Sequence, residues 1–332
     1  MIKVENLVKY YGEYLALKGV SYTINKGEIV GFLGPNGAGK STMMRIITGY
    51  LPATSGYVYL DDYEVYDNPI ELKKRMGYMP ENVSLYTEMT VQDYLTFSAK
   101  LKGIPFKQIK SSVEKVIEET GLTNYRNRII GHLSKGYKQR TGIAQAIIHD
   151  PEVLILDEPT SGLDPNQLID VRALIKRLGG SRTVILSTHI LSEVEDTCER
   201  ALIIDSGELI AEDTIEGLKT AMDREILGGN IILKVANRVE DAVVAVREVY
   251  GVVQSEIDQF GSILVECERG NDVRANIVKH LVNNSFEVIE LKTKERSLEE
   301  VFIYFTDKKK NEDFDKSKYI KNVSVSTDSA DN

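Results

Sequence analysis

Over residues 1–30 the apolar positions fall in short groups, Ile2, Val4 and Leu7, then Leu15, Leu17 and Val20, then Tyr22 and Ile24, which predicts antiparallel strands. Glu28 to Leu33 reads as a short buried strand, and Thr42 to Ile47 continues as a helix with its apolar positions on one face. Gly49 to Gly56 is a loop ahead of a strand at Tyr57 to Leu60. Residues 62–80 carry a short helix and then a strand from Met76, which Pro80 ends because it has no N–H for further pairing. From Thr90 to Ile148 the period becomes helical. Val91, Tyr94, Leu95, Phe97, Ser98 and Leu101 mark one amphipathic helix, and Val113, Val116, Ile117 and Thr120 a second that Gly121 closes. A further helix runs through Ile143, Ala144 and Ala146 to Ile148. Val153 to Leu156 is a continuous apolar run of the kind found in buried parallel strands, and Thr183 to His189 repeats that pattern around Val184, Ile185 and Leu186, with a helix from Gln167 to Leu178 between them. Ala201 to Ile210 reads as two strands joined by a tight turn, and Ile215 to Met222 as a closing helix.

The composition shifts at Leu227-Gly228-Gly229. Beyond it the order is strand (Ile231 to Val235), helix (Val239 to Val249), strand (Val252 to Ile257), strand (Ser262 to Cys267), helix (Val273 to Leu281) and strand (Phe286 to Leu291). That βαββαβ order predicts a small α+β ferredoxin-like unit, followed by a last helix at Leu298 to Phe305. Residues 307–332 hold six Lys and six acidic residues among many Ser and Asn, a composition expected to be disordered.

Chemistry concentrates in the first two thirds. Gly34-Pro35-Asn36-Gly37-Ala38-Gly39-Lys40-Ser41 joins a strand to a helix and fits the phosphate-loop pattern G-x-x-x-x-G-K-[ST]. Its glycines let backbone N–H groups close around an anion, and the helix starting near Thr42 adds the positive end of its dipole. Lys40 is placed to reach β- and γ-phosphates, and Ser41 to give a hydroxyl to Mg²⁺. Asp157 and Glu158 close a buried strand, where open α/β sheets bind ligands. Asp157 then serves Mg²⁺ through water and Glu158 the attacking water. His189 ends the other apolar run at the same sheet edge, as a structural histidine or a γ-phosphate contact. Three further features stay open on residue type alone. Tyr11, in Tyr10-Tyr11-Gly12, fits either a purine stack or packing in a small sheet. Glu81 is an active-site carboxylate or a solvated loop acid. Ser134, ahead of Lys135 and Gly136, caps a helix that is either a second anion site or an ordinary one.

The net charge of −9 argues against a broad nucleic-acid-binding face. Two widely separated cysteines, Cys198 and Cys267, indicate neither a disulfide framework nor a zinc site and fit a reducing cytoplasm. The N-terminus lacks a signal-peptide h-region, and no run approaches the ~18 apolar residues that a membrane span needs. A membrane role therefore requires another chain.

Taken together, a phosphate loop, a helical insertion, Leu133-Ser134-Lys135-Gly136-Tyr137, an apolar strand ending Asp157-Glu158, Ser161-Gly162-Leu163-Asp164 and a strand-terminal His189 resemble the ATPase subunit of ABC transporters over about residues 1–222. The resemblance implies a P-loop NTPase fold, α/β with a mixed sheet core, an antiparallel β subdomain and a helical subdomain at about 84–150, with an accessory unit at 228–306. It implies ATP and Mg²⁺ as ligands. Tyr11 becomes the adenine-stacking aromatic, Gly34 to Thr42 the nucleotide loop, Ser41, Asp157 and Glu81 the metal-side groups, and Glu158 and His189 the catalytic pair. Leu133 to Tyr137 become a signature that meets ATP on an opposite subunit, and Asp164 an acid of the dimer-contacting loop. The implied partners are a second ATPase subunit in a homodimer or paired dimer and a polytopic permease on a separate chain. The implied location is peripheral, on the cytoplasmic face of the cell membrane, with no nucleic-acid partner.

Two positions depart from the family pattern. Glu81 stands where glutamine is usual, adding negative charge near the metal. Lys135 and Tyr137 alter the usual Leu-Ser-Gly-Gly-Gln, and Lys135 either adds a charge toward phosphate or faces solvent. These variants, and Ser297-Leu298-Glu299-Glu300-Val301-Phe302, are similar to a bacterial exporter branch with drug-efflux and gliding-motility ATPases. The competing reading is a soluble ABC-type ATPase acting on DNA or ribosomes, but the long coiled-coil insertions or second ATPase module of such proteins are missing. A P-loop GTPase is disfavoured because Asn25-Lys26 continues Gly27-Glu28 and not toward a guanine-reading Asn-Lys-x-Asp. A non-enzymatic binding module fits poorly with a full hydrolytic set.

Overall fold

A computed structural model describes residues 1–225, 230–268, 272–293 and 297–309. The chain forms two units, Met1–Ile215 joined by the segment from Phe305 onward, and Glu216–Tyr304.

The first unit opens with β1 (Ile2–Tyr11) and β2 (Tyr14–Ile24), an antiparallel pair whose alternating burial turns Ile2, Val4, Leu7, Leu17 and Val20 inward. β3 (Ile29–Leu33) is buried throughout and leads into α1 (Lys40–Ile47). Then come β4 (Ser55–Leu60), β5 (Tyr63–Glu64), α2 (Pro69–Arg75) and β6 (Met76–Met79). The helical stretch holds α3 (Val91–Leu101), α4 (Phe106–Glu119) and α5 (Lys135–Ile147). Thr90 caps α3 by accepting the Asp93 N–H at 3.1 Å, which fixes where that helix begins. β7 (Val153–Asp157), α6 (Pro165–Gly179), β8 (Thr183–Thr188), α7 (Leu191–Thr197), β9 (Arg200–Asp205), β10 (Glu208–Thr214) and α8 (Ile215–Glu225) follow.

Two sheets result. One is antiparallel, in the order β2-β1-β4-β5. The other has six strands in the order β10-β9-β3-β8-β7-β6, parallel from β9 to β6 with β10 antiparallel at its edge. Its central strands are covered on both faces, so β3, β7 and β8 are buried at every position. Val30 and Phe32 of β3, Met43 and Ile46 of α1, Ile155 of β7 and Ile185 of β8 belong to one buried cluster that fixes α1 on the sheet. The strand order puts the C-terminal ends of β3, β7 and β8 side by side, and each is followed by one of the predicted chemical motifs.

The second unit contains β11 (Asn230–Val235), α9 (Val239–Arg247), β12 (Val252–Ile257), β13 (Ile263–Cys267), α10 (Arg274–Asn283) and β14 (Val288–Thr293). Its sheet is antiparallel in the order β12-β13-β11-β14, the ferredoxin-like arrangement expected from the element order. Ile231, Leu233, Val246, Ile263, Val265, Ile277 and Leu281 form its own buried core. β14 lies two residues later than the apolar pattern indicated. Phe286 is buried in that core, but its N–H closes a turn onto Leu281 O at 3.0 Å and does not enter the ladder.

The last described helix covers 298–309, four residues past the expected end. Lys309 Nζ pairs with Glu208 Oε2 at 2.9 Å and donates to Asp205 O at 3.2 Å, both within the first unit. Residues 307–309, placed in the tail by composition, are thus helical, and the rest of that tail, 310–332, lies outside the described residues.

Candidate functional site

The loop between β3 and α1 wraps the start of the helix. Gly39 sits at the N-cap with φ 106°, where an L side chain is strained, and a Cβ there would stand 2.9 Å from Ala16 O. Lys40 is 5 % exposed and curls back over the loop. Its ammonium donates to Gly34 O at 2.7 Å and Pro35 O at 3.2 Å, and lies 3.7 Å from Glu158 Oε1. Burial pulls the Lys40 ammonium below its usual range, opposed by the negative charges of Glu158 and Asp157. With the first N–H groups of α1 alongside, this is a concave positive spot suited to a polyanion.

The carboxylates come from the end of β7. Asp157 is 1 % exposed and accepts hydrogen bonds from Ser41 Oγ at 3.2 Å and from Ser187 Oγ on β8. Ser41 and Asp157 therefore present hard oxygen donors together, the set that Mg²⁺ prefers. Glu158 adopts φ 50°, a left-handed conformation costly for a residue with a Cβ. It is held there by its N–H to Ser187 O at 3.0 Å and by its carbonyl, which accepts the Ser161 N–H at 3.2 Å. This turn aims the carboxylate at His189, whose Nδ1 lies 2.8 Å from Glu158 Oε2. The imidazole is about half exposed (45 %) while the carboxylate is buried, so the pair has one dry and one wet side. A carboxylate hydrogen-bonded to an imidazole at a cavity wall can orient a water and accept its proton.

These groups line one cavity of about 470 Å³. Tyr11, Asn36, Gly37, Gly39, Lys40, Ser41, Thr42, Glu81, Glu158 and His189 all border it. Gly34, Pro35 and Ala38 form the loop behind it, and Asp157 sits beneath Ser41. Tyr11 is 44 % exposed, so its ring is not packed away within the sheet, and the Lys9 ammonium lies 5.4 Å from the ring centroid. Glu81 comes from the loop after β6 and brings a third carboxylate toward Lys40.

Further contributors were not among the expected site residues. Tyr14 and Ala16 border the cavity because β2 folds back beside the loop, a pairing that residue type does not announce. Ser161 joins from the turn after β7. Glu193 of α7 is fully buried, accepts the Thr160 hydroxyl at 2.6 Å and is raised above the usual carboxylate range by burial. It braces the turn that sets Glu158.

The signature residues stand elsewhere. Leu133, Ser134, Lys135, Gly136 and Tyr137 do not border the cavity among the described residues. Leu133 and Gly136 are buried, whereas Ser134 and Lys135 are exposed. The Tyr137 ring packs on Tyr125 with centroids 3.8 Å apart. Ser134 occupies the N-cap position of α5, but its side chain accepts nothing from the helix, so the expected cap is positional only. The Lys135 ammonium rests over the backbone of Gly162. Asp164 caps α6 by accepting the Gln167 N–H at 3.0 Å.

Residues 17–161 match the sequence family described as ABC transporter. The chain is 35 % identical over 305 residues to the bacitracin transport ATP-binding protein BcrA of Bacillus licheniformis, covering 91 % of this chain and 96 % of that one. It is 33 % identical over 309 residues to the linearmycin resistance ATP-binding protein LnrL of Bacillus subtilis, covering 92 % and 98 %. Among solved structures, an ATP-binding subunit of an ABC transporter superposes with a TM-score of 0.60 at 30 % identity, over 67 % of this chain and 93 % of that one. A dimeric post-hydrolysis ATP-binding cassette with ADP and Pi superposes with a TM-score of 0.59 at 26 % identity, over 65 % and 99 %. The loop, the paired acids and the histidine thus occur in a chain that belongs to the ABC transporter family, among its ATP-binding, ATP-hydrolysing subunits.

Proposed function

We propose that two copies of this chain, or one copy and a paired ATPase subunit, close head to tail around two ATP molecules, and that this closure drives a separate polytopic permease in drug or antibiotic export. The observation behind the reading is the split of anion-binding elements. One cavity collects the phosphate loop, Glu81, Glu158 and His189, while Ser134 to Gly136 stand apart from it in the same chain. A site completed by the signature of another copy accounts for that separation, and a dimeric cassette with ADP and Pi is among the structures this chain resembles.

In this reading Lys40 and Gly34 to Thr42 bind the phosphates, and Tyr11 stacks on the base. Ser41, and Asp157 through water, hold Mg²⁺, with Glu81 beside them, and the ion supplies neutralisation of phosphate charge. Glu158, aligned by its contact with His189, orients and deprotonates water for in-line attack, and His189 faces the γ-phosphate. Asp164 lies in the loop that meets the second copy, and Lys135 adds a positive charge to the closing face.

The relatives named for bacitracin transport and linearmycin resistance support export of an antibiotic. No helix among the described residues is long and apolar enough to cross a membrane, which fits a peripheral subunit at the cytoplasmic face with its membrane part on another chain. A second cavity of about 420 Å³, lined by Tyr50, Tyr78, Pro80, Val83, Phe97 and Leu101, adjoins the loop that carries Glu81. Its aromatic wall suits an apolar anchor on a cytoplasmic helix of the permease.

The test is the Glu158→Gln chain purified from membranes. ATP binding is retained, turnover falls by about 10²–10⁴ as expected for loss of a general base, and a polytopic protein co-purifies. Turnover near the unsubstituted rate removes Glu158 from its role. Recovery of the chain with ribosomes or DNA in place of a membrane protein favours the non-transport alternative.

A further inference from the structure

The first turn of α5 does not have all its donors free. Gly136 N–H donates to Gln167 Oε1 at 2.8 Å, across 31 residues of chain. The carboxamide lies so close that a Cβ on Gly136 would stand 2.3 Å from Oε1 and 2.8 Å from Cδ. The atom facing a backbone N–H must be the amide oxygen, since the amide nitrogen offers no acceptor. The Ser134 hydroxyl accepts nothing from this helix, so Gln167, from another element, supplies an acceptor to its first turn. Gln167 also donates its own N–H to Asp164 Oδ1 at 3.0 Å, which fixes its position in the first turn of α6. The two segments touch again where Lys135 rests over Gly162.

We infer that Gln167 is a built-in competitor for the signature, its carboxamide oxygen holding the Gly136 N–H until the terminal phosphate of ATP on the second copy displaces it. This rests on the two-copy arrangement proposed above. The exchange has a direction set by charge. A phosphate oxygen is an ionised acceptor and makes a hydrogen bond roughly twice as strong as a neutral amide oxygen does. Phosphate therefore takes the donor when ATP is present, and the amide regains it when phosphate leaves. The side chain yields without disturbing α6, because the Asp164 cap binds the Gln167 backbone and not its carboxamide. Gly136 is then needed twice, to let the carboxamide lie flat in one state and phosphate approach in the other.

Breaking one neutral hydrogen bond weakens closure by a factor of about 2 to 10 per site. In a two-fold dimer both sites open together, so the factor multiplies to about 4 to 100.

The experiment is sedimentation of the full-length Glu158→Gln chain across an ATP titration, with and without a change at Gln167. Gln167→Ala is expected to tighten ATP-dependent dimerisation by about 4- to 100-fold. Gln167→Met, of similar length and without a strong acceptor, should do the same and replaces Ala if that variant fails to fold. Gln167→Glu should weaken dimerisation, since its carboxylate binds the N–H more firmly and repels phosphate. ATP affinity of the monomer stays unchanged in all three, which separates the effect from a general disturbance. Unchanged or weaker dimerisation in Gln167→Ala and Gln167→Met overturns the competitor role while leaving the dimer intact. A Glu158→Gln chain that remains monomeric at saturating ATP overturns the two-copy arrangement itself, whatever Gln167 does.

Discussion

Among the described residues, Lys40 is the one lysine or arginine bordering the cavity at the phosphate loop, and it is already desolvated against two loop carbonyls and Glu158. A bound polyphosphate gains charge-assisted hydrogen bonds from this ammonium without first stripping it of water. Lys40→Ala should therefore lower ATP affinity by about 100-fold or more, since hydrogen bonds to charged groups contribute about 1.5–3 kcal/mol each; titration with a fluorescent ATP analogue measures this. At this scale the sequence was legible where chemistry is local. Gly34 to Thr42 and Asp157-Glu158 lie in contiguous motifs, and the structure brings all but the supporting loop residues and Asp157 to one cavity wall. Tyr14, Glu193 and Gln167 were not legible. Glu193 acts through Thr160 and Gln167 through Gly136, partners distant in the chain, and one side chain carries no mark of such a partner.

Among the elements, the junction between α5 and β6 has a titratable seam. His149, just past α5, sits with Nε2 3.0 Å from Met76 O at the start of β6, where Nε2–H donates. Burial, reinforced by the nearby Lys102 charge, pulls the imidazole down to about 4 from its ordinary 6.5. The folded state therefore keeps it neutral at pH values where the unfolded chain protonates it. The stability it contributes is fully present above about pH 6.5 and is lost progressively as the pH falls toward about 4. Urea midpoints measured from pH 7 to pH 4.5 should decline less steeply in His149→Gln than in the unsubstituted chain. Periodicity located most elements because the buried strands and amphipathic helices have strong patterns. It placed β14 two residues early, since the buried Phe286 serves a turn, and it did not resolve α7, whose Leu191–Thr197 stretch interleaves acids with apolar residues.

For the whole molecule, the two units carry separate cores, and every described residue that borders the cavity at the phosphate loop belongs to the first. Leu233 is 0 % exposed at the centre of the second core. Leu233→Ala should cost about 2–5 kcal/mol of that unit's stability, read as a shift of its own calorimetric transition, with ATP affinity unaltered. Charge and composition bounded this scale only loosely. They located a change of character near Leu227, yet the division falls at Ile215 and Glu216, because α8 begins in the first unit and continues into the second. They also placed the second boundary at the end of a globular region, whereas the helix over 298–309 runs through Tyr304 and Phe305 without a break.

That uninterrupted helix alters what kind of appendage the second unit is. The chain leaves the nucleotide-binding unit at Ile215 and returns to it at Phe305, ending its described course with Lys309 bound at the β9–β10 turn. The ferredoxin-like unit is accordingly an insertion tethered at both ends. A single protease cut would nick it without setting it free, and truncating the chain after β14 would also remove the ion pair to Glu208.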